Sequence, residues 1–383
     1  MKRNEQLALL WLTERAGLSV QNKVLDKAFL PSFFEMDKND WLKCGLNESQ
    51  AKRLSDQRSI KGLESRLDKM LESGINIVHR DSGKYPFTVE CASDLPPVLF
   101  VKSKHDILYR DGVGVVGSRK ATTYGLDVAR QIGREAALRG LPTVSGAALG
   151  IDTAAHNGSL DSGGATIAVL GCGMYHTYPK SAGPLLERIY ENGMVISQFA
   201  PNVPPDRKTF PIRNAVIAAL TSSVVVVEGA SKSGARHTAK YAKQYGRKLF
   251  AVPGEISRPQ ATLPNQLIRE GAKILLNPAD PVDALAEKSG KNTTKQRSNK
   301  QVAMTFDKNG ASDIKSNAGI LDKLEPVQRK LLNHIQNSSG SIDDILTADI
   351  ADSGQINQIL LELELQGLVK QEGGRHYVCL LHN

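Results

Sequence analysis

The residues most able to do chemistry lie in two short stretches, Gly117-Ser118-Arg119 and Arg207 to Asn214, which reads RKTFPIRN. A guanidinium presents forked donors that match phosphate oxygens, and a glycine beside it lets the backbone turn sharply and expose N–H groups. Where such a turn joins a strand to a helix, the positive end of the helix dipole adds to the attraction for an anion. Arg119 therefore reads either as part of a phosphate seat or as an arginine facing water beside a tight turn. In the second stretch Arg207, Lys208 and Arg213 flank the ring of Phe210, with Asn214 just inside a helix. Cations interleaved with an aromatic suit a single nucleic-acid strand, whose phosphates need charge and whose unstacked bases need a flat apolar face. Phe210 reads equally as a hydrophobic staple for a helix starting near Ile212. Tyr124 carries the same two readings.

These residues need a frame to bring them together. Val113, Val115 and Val116 are β-branched and bounded by glycine, as in a buried parallel strand, and from Tyr124 the residues Leu126, Ala129, Ile132, Ala136 and Leu138 recur at helical spacing. The step repeats. Apolar runs at Thr143–Val144, Thr166–Leu170, Met194–Ile196, Val224–Val227, Leu249–Val252 and Lys273–Leu276 alternate with helical patterns from near Ile151, Ser181, Ile212, Gly234 and Pro264. The alternation predicts an α/β fold, a Rossmann-like parallel sheet with helices on both faces, whose ligand gathers at the carboxyl ends of the strands. The loops at those ends are Gly117-Ser118-Arg119, Ser145-Gly146 with Gly150-Ile151-Asp152, Gly171-Cys172-Gly173, Glu228-Gly229 with Ser233-Gly234, and Pro253-Gly254-Glu255. Any one of them is what a tight turn uses anyway; several together, one carrying Arg119, favour a phosphate-rich ligand. Gly112, Gly114 and Gly117 spell GxGxxG, but the dinucleotide fingerprint needs its strand before the first glycine, and here the valines lie between the glycines. No nicotinamide, flavin or other cofactor is expected.

The chain divides by composition. Residues 1–75 read as a small helical domain with Trp11, Trp41, Phe29, Phe33 and Phe34 for its core, and 76–287 as the Rossmann-like domain, led in by short β runs at Asn76–Val78 and Val98–Val101. Residues 288–318 are rich in Lys, Asn, Ser, Thr and Gln and read as a flexible basic linker. Residues 319–383 carry a helix from Pro326 to Ile335, further helices near Ile342–Leu346 and Gln355–Leu365, and a hairpin about Gly373-Gly374, the pattern of a winged helix. Such a module usually reads DNA, yet Lys323, Arg329, Lys330, Lys370 and Arg375 face the larger set Asp322, Glu325, Asp343, Asp344, Asp349, Asp352, Glu362, Glu364 and Glu372. An acidic surface binds phosphate poorly, so the central domain should supply most affinity and the module a protein contact or an accessory DNA contact.

A net charge of +9 makes an acidic polymer a plausible partner without deciding the matter. Cys44, Cys91, Cys172 and Cys379 are scattered and form no CxxC, which suggests neither zinc nor a disulfide framework and points to the cytoplasm. The apolar run Leu7–Leu12 is too short for membrane insertion. Asp152, His156, Glu228 and His237 are titratable and near strand ends, but no GxSxG, HExxH or P-loop pattern accompanies them. Asp152 reads as a capping residue and the histidines as helix-face residues; no catalytic or metal-binding set is expected.

As a set, Gly117-Ser118-Arg119 with Tyr124-Gly125, SGAALGID at 145–152, FPIRNAVIAAL at 210–220, EGASKSGARHTAKYAKQYGRKLFAVPG at 228–254 and LIREGA at 267–272 resemble the DprA/Smf family of DNA-processing proteins. The resemblance implies a helical front, an extended Rossmann-like centre and a winged-helix end. It also implies single-stranded DNA binding without sequence preference, homodimers through the central domain, and loading of the RecA recombinase in natural transformation, without enzymatic activity. By position it puts DNA at Ser118, Arg119, Arg207, Lys208, Phe210 and Arg213. Leu149 and Ala215 stand where the family usually has arginine, and Leu263-Pro264 precedes Asn265 where glycine is usual. Two other classes compete: an enzyme acting on a nucleotide monophosphate, with Glu228 or Asp152 as its acid, and an interaction scaffold docking through the winged module.

Overall fold

A computed structural model describes residues 1–28, 30–56, 61–82, 85–86, 95–105, 112–289, 326–337, 345, 355–356, 359–360, 362–363, 368–372 and 376–379. The chain forms two compact units, residues 1–296 and 297–383.

The first unit opens with helices α1 (Arg3–Arg15), α2 (Leu18–Leu25), α3 (Lys38–Lys43), α4 (Glu48–Leu54) and α5 (Leu63–Glu72). Side chains of Asp37 and Asn47 cap α3 and α4 by accepting from the amides of Asp40 and Gln50. The expected aromatic core is present: Trp11, Trp41 and Phe33 are fully buried and meet edge-on or tilted, with ring centroids 5.5–6.4 Å apart. Phe34 packs on Trp11 at 5.8 Å; Phe29 lies outside the described residues. This core continues without a break into Ile75, Ile77, Val98 and Phe100 of the first two strands.

Nine strands form one sheet: β1 (Ile75–His79), β2 (Val98–Lys102), β3 (Gly112–Val116), β4 (Thr143–Ser145), β5 (Thr166–Leu170), β6 (Met194–Ser197), β7 (Thr221–Val226), β8 (Lys248–Ala251) and β9 (Lys273–Ile274), in the order β1-β2-β6-β5-β4-β3-β7-β8-β9. The last seven strands of that order run parallel, and β1 and β2 join antiparallel at one edge, so the early β runs belong to the sheet itself. The crossovers carry α6 (Thr123–Leu138), α7 (Ile151–Asp161), α8 (Gly183–Asn192), α9 (Thr209–Ala219), α10 (Ala235–Gln244) and α11 (Thr262–Arg269), with α12 (Asp280–Ser289) after β9. Alternation along the strands splits the core. Val113, Val115, Val225 and Phe250 meet α6, α7 and α12, while Val116, Val224, Val226 and Leu249 meet α9, α10 and α11.

Strand β7 begins three residues before the expected Val224. Thr221, Ser222 and Ser223 are polar but buried, and their burial is tolerable because Thr221 donates to Ile217 O and Ser223 to Pro281 O. Helix α9 likewise begins at Thr209 rather than near Ile212, with Pro211 inside its first turn, where a missing N–H costs nothing. Phe210, expected ahead of a helix starting near Ile212, is therefore fixed in that helix's first turn.

In the second unit α13 (Pro326–Asn337) accompanies an antiparallel hairpin of β10 (Val369–Glu372) and β11 (His376–Cys379) around Leu331, Leu332, Ile335, Ile356, Leu360, Leu363 and Leu368. The expected helix near Ile342–Leu346 lies, apart from Ile345, outside the described residues, as does the linker beyond residue 289.

Candidate nucleic-acid interface

From β3 the chain steps through β4, β5 and β6 to one side, then returns to place β7 on the other side of β3. The loops that leave β3 and β7 consequently diverge, and a crevice opens between them at the strands' carboxyl ends. It is a groove of about 510 Å³ lined by Ser118, Arg119, Lys120, Phe210, Lys232 and Ser233 among others. Gly117, Arg213, Asn214 and Gly234 also border it.

Phe210 stands at the first turn of α9. The preceding Thr209 hydroxyl donates to Gly171 O at 2.5 Å, and the Phe210 ring lies so close to the Gly171 backbone that a Cβ there would come within 2.5 Å of it. The glycine of that loop thus serves close approach by a ring. Tyr178 lies 5.4 Å from Phe210 at an interplanar angle of 43°, and the Arg119 guanidinium sits over the Phe210 ring at 5.4 Å. Phe210 is half-buried on the groove floor with a cation on its face, an arrangement worth about 0.5–1 kcal/mol at an exposed site.

Arg213 has a different place from the one its sequence neighbours suggest. It is only 5 % exposed; its guanidinium donates to Gly146 O at 2.9 Å and to Val169 O, and its Nε to Asn214 Oδ1 at 3.0 Å. Burial lowers its pKa to about 10, with the Asp152 carboxylate opposing that fall, so it remains cationic at neutral pH. A side chain on Gly146 would collide with this guanidinium. Asn214 in turn donates to Gly234 O at 3.2 Å, which ties α9 to the start of α10. Gly146, Arg213 and Asn214 therefore form a buried strut beneath the groove.

At two of the five strand-end loops, the backbone N–H groups are already taken by the chain's own carboxylates. Asp152 is no cap for its own helix: it accepts the amides of Gly146 at 3.1 Å and Ala148 at 3.4 Å in the loop after β4, and burial raises its pKa against the pull of Arg213. Glu228, 5 % exposed, accepts the Thr122 amide at 2.9 Å and the Thr122 hydroxyl at the start of α6. What remains for a ligand are exposed side-chain cations, Arg119, Lys120 and Lys232, and the start of α10, whose first turn holds no acid. Ser233 and Gly234 sit at that helix start, and Ser118 accepts the Lys120 amide at 3.0 Å.

Other expected residues lie apart. Arg207 and Lys208 are exposed just before α9 but do not line the groove, and Tyr124, 54 % exposed, borders a neighbouring depression. His156 is wholly buried and His237 exposed on α10. Leu149 is half-exposed next to Ala148, a groove residue, whereas Ala215 is buried within α9. Lys120, Lys232 and Tyr178 were missed. The two lysines lie inside the glycine-bearing loops already singled out, which is the signal that could have found them.

Residues 76–286 match the family described as DNA recombination-mediator protein A, and residues 317–375 match the DprA winged helix domain. The chain belongs to the DprA/Smf family. It is 34% identical over 249 residues to DNA processing protein DprA of Bacillus subtilis (strain 168), covering 64% of this chain and 84% of that protein. The X-ray structure of DNA processing protein A from Streptococcus pneumoniae superposes with a TM-score of 0.62 at 31% identity, over 75% of this chain and 99% of the other. A structure concerned with the single-stranded DNA binding mode of DNA processing protein A from Helicobacter pylori superposes with a TM-score of 0.51 at 25% identity, over 56% of this chain and 96% of the other. The α/β centre and the winged-helix end of the DprA fold are thus both present. Among the described residues no helix is long and apolar enough to cross a membrane.

Proposed function

We propose that this member of the DprA family binds single-stranded DNA without sequence preference in the switch-point groove and hands it to a RecA-type recombinase during DNA uptake and recombination. One observation carries the reading: Arg119 and Phe210 meet at 5.4 Å on the floor of a groove edged by Lys120 and Lys232. Cations hold the backbone and a ring takes a base, which is what a flexible unpaired strand offers and a duplex conceals. The relative from Helicobacter pylori, named for its single-stranded DNA binding mode, supports the same reading. Arg207 and Lys208, exposed beside α9, extend the positive field beyond the groove.

The protein works in this reading as a cytoplasmic homodimer joined through the central unit. The sheet ends at β9, two residues long, with Ile274 47 % and Leu276 85 % exposed beside it, and an uncovered apolar sheet edge is a natural seat for a second copy. The acid-rich winged helix serves protein contact. An enzyme acting on nucleotide monophosphates is the weaker reading, because Asp152 and Glu228 both spend acceptor capacity on the chain's own amides.

Fluorescence anisotropy with short labelled oligonucleotides tests the groove. Single strands should bind more tightly than duplexes, and Phe210→Ala should cost about 1–3 kcal/mol on every single-stranded sequence. Unchanged affinity in Phe210→Ala would remove the ring from the interface.

A further inference from the structure

We propose that the bound strand continues out of the groove, over the ring of Tyr178, to Lys69, so that the helical front of the chain takes part in holding single-stranded DNA. The proposal rests on the DNA-binding reading above and adds to it a second stacking ring and a further phosphate contact.

The carboxyl rim of the sheet lays out the path. Lys232 follows β7, Arg119 follows β3 and Tyr178 follows β5, and the order β7-β3-β4-β5 separates the first from the last by three strand spacings, about 14 Å. The loop after β5 then runs to the front helices and is held there. Met174 packs against the core built around Trp11 and Trp41, the Gly173 amide donates to Val203 O at 2.8 Å and the Tyr175 amide to Pro201 O at 2.9 Å. No other residue fits at Gly173, where a Cβ would lie 2.1 Å from Ala200 O. Tyr175 reaches α5, and Lys69 Nζ stands 5.3 Å from the centre of its ring. Rim and front helices therefore meet at Tyr175, with Lys69 at the junction.

Tyr178 has the surroundings of a ring that stacks on a ligand. It is 43 % exposed, and among the described residues its hydroxyl makes no hydrogen bond and no cation lies over its face, whereas Arg119 lies over Phe210. Its centroid is 5.4 Å from that of Phe210 at an interplanar angle of 43°, too close for a base to enter between them. The two rings form one tilted shelf, and successive bases rest on it side by side. Lys69 has the surroundings of a phosphate contact. It is exposed, and the nearby carboxylates of Asp68 and Glu14 are engaged by Arg3 at 2.7 Å and Arg66 at 3.1 Å. Among the described residues no carboxylate pairs with Lys69. An unpaired cation beyond an aromatic shelf is what the backbone of the next nucleotides needs; an acidic peptide would ask for the cation without the exposed ring, and a duplex hides its bases.

The test uses the full-length protein and labelled oligothymidylates of about a dozen nucleotides, long enough for one strand-binding footprint, with 5-iodouracil at one position at a time. Illumination crosslinks an iodouracil to an aromatic ring stacked on it, and mass spectrometry of the digest should place crosslinks at Phe210 and, from a position further along, at Tyr178. Tyr178→Ala should weaken binding about tenfold, and Tyr178→Phe, which keeps the ring and loses only an unbonded hydroxyl, should leave it unchanged. Lys69→Gln should make log K against log salt shallower by about 0.7, beyond the share of the groove cations, a change that a merely structural role would not produce. Absence of any crosslink at Tyr178, or a salt slope that Lys69→Gln leaves as it was, overturns the track; if Arg119→Ala still weakens the same oligonucleotide, the groove stands. Failure of the native protein to bind any single strand removes both.

Discussion

Replacing Arg213 should unfold the protein before it affects DNA. The side chain is 5 % exposed, donates to Gly146 O, Val169 O and Asn214 Oδ1, and is the cation that opposes the raised pKa of buried Asp152. Methionine in its place fills the volume but removes the cation that eases the burial of the Asp152 carboxylate and takes a donor away from the Gly146 and Val169 carbonyls, a loss of at least about 1–3 kcal/mol for buried polar groups left under-satisfied. The partner change separates charge from shape. Asp152→Asn keeps an oxygen for the Gly146 and Ala148 amides while removing the stranded charge, so in the Arg213→Met background it should recover about 1–3 kcal/mol as a coupling energy. Urea denaturation followed by circular dichroism, with linear extrapolation, measures all four corners of the cycle. Native stability in Arg213→Met together with lost oligonucleotide binding would refute the reasoning, because it would make Arg213 a ligand contact.

Two further changes probe the frame around the groove. Gly171→Ala places a methyl within 2.5 Å of the Phe210 ring and should push it off the groove floor, lowering single-stranded DNA affinity by an amount comparable to Phe210→Ala with little effect on the sheet. Parallel anisotropy titrations of the two variants check this. His156 is buried, its Nδ1–H donates to Thr166 Oγ1 at 2.7 Å, Nε2 finds no partner, and burial lowers its pKa to about 3. Unfolded histidine takes its proton below about pH 6.5 and folded His156 does not, so stability falls as pH drops from about 6.5 toward 3; at about pH 4.5 the two-unit gap amounts to about 2.7 kcal/mol. Urea midpoints at neutral and acid pH should therefore converge in His156→Gln, and an unchanged acid loss would place the sensitive group elsewhere.

The layers of the fold were legible because hydrophobic period carries them: β5 has the boundaries its apolar run announces, Thr166–Leu170, and α7 starts at the expected Ile151. The start of β7 was not, because Thr221 to Ser223 are polar yet buried, with the Thr221 and Ser223 hydroxyls satisfied by a local and a distant carbonyl. Nor was the start of α9, where a proline that reads as loop sits harmlessly in a first turn. In the site, Arg119 and Phe210 were visible as types in context. The burial of Arg213 was invisible, since its backbone acceptors come from the loop after β4 and from strand β5 itself. The filling of the anion seats was equally hidden: Glu228 and Thr122 are 106 residues apart, and local spacing holds no trace of such a pair.

The central claim is that groove cations neutralise the phosphates of a flexible strand, and the salt dependence of single-stranded DNA affinity tests it most directly. With Arg119, Lys120 and Lys232 each engaging one phosphate, log K should fall against log salt with a slope of about −2, and Arg119→Ala should make that slope shallower by about 0.7. A slope near zero, or one that Arg119→Ala leaves untouched, would contradict the account.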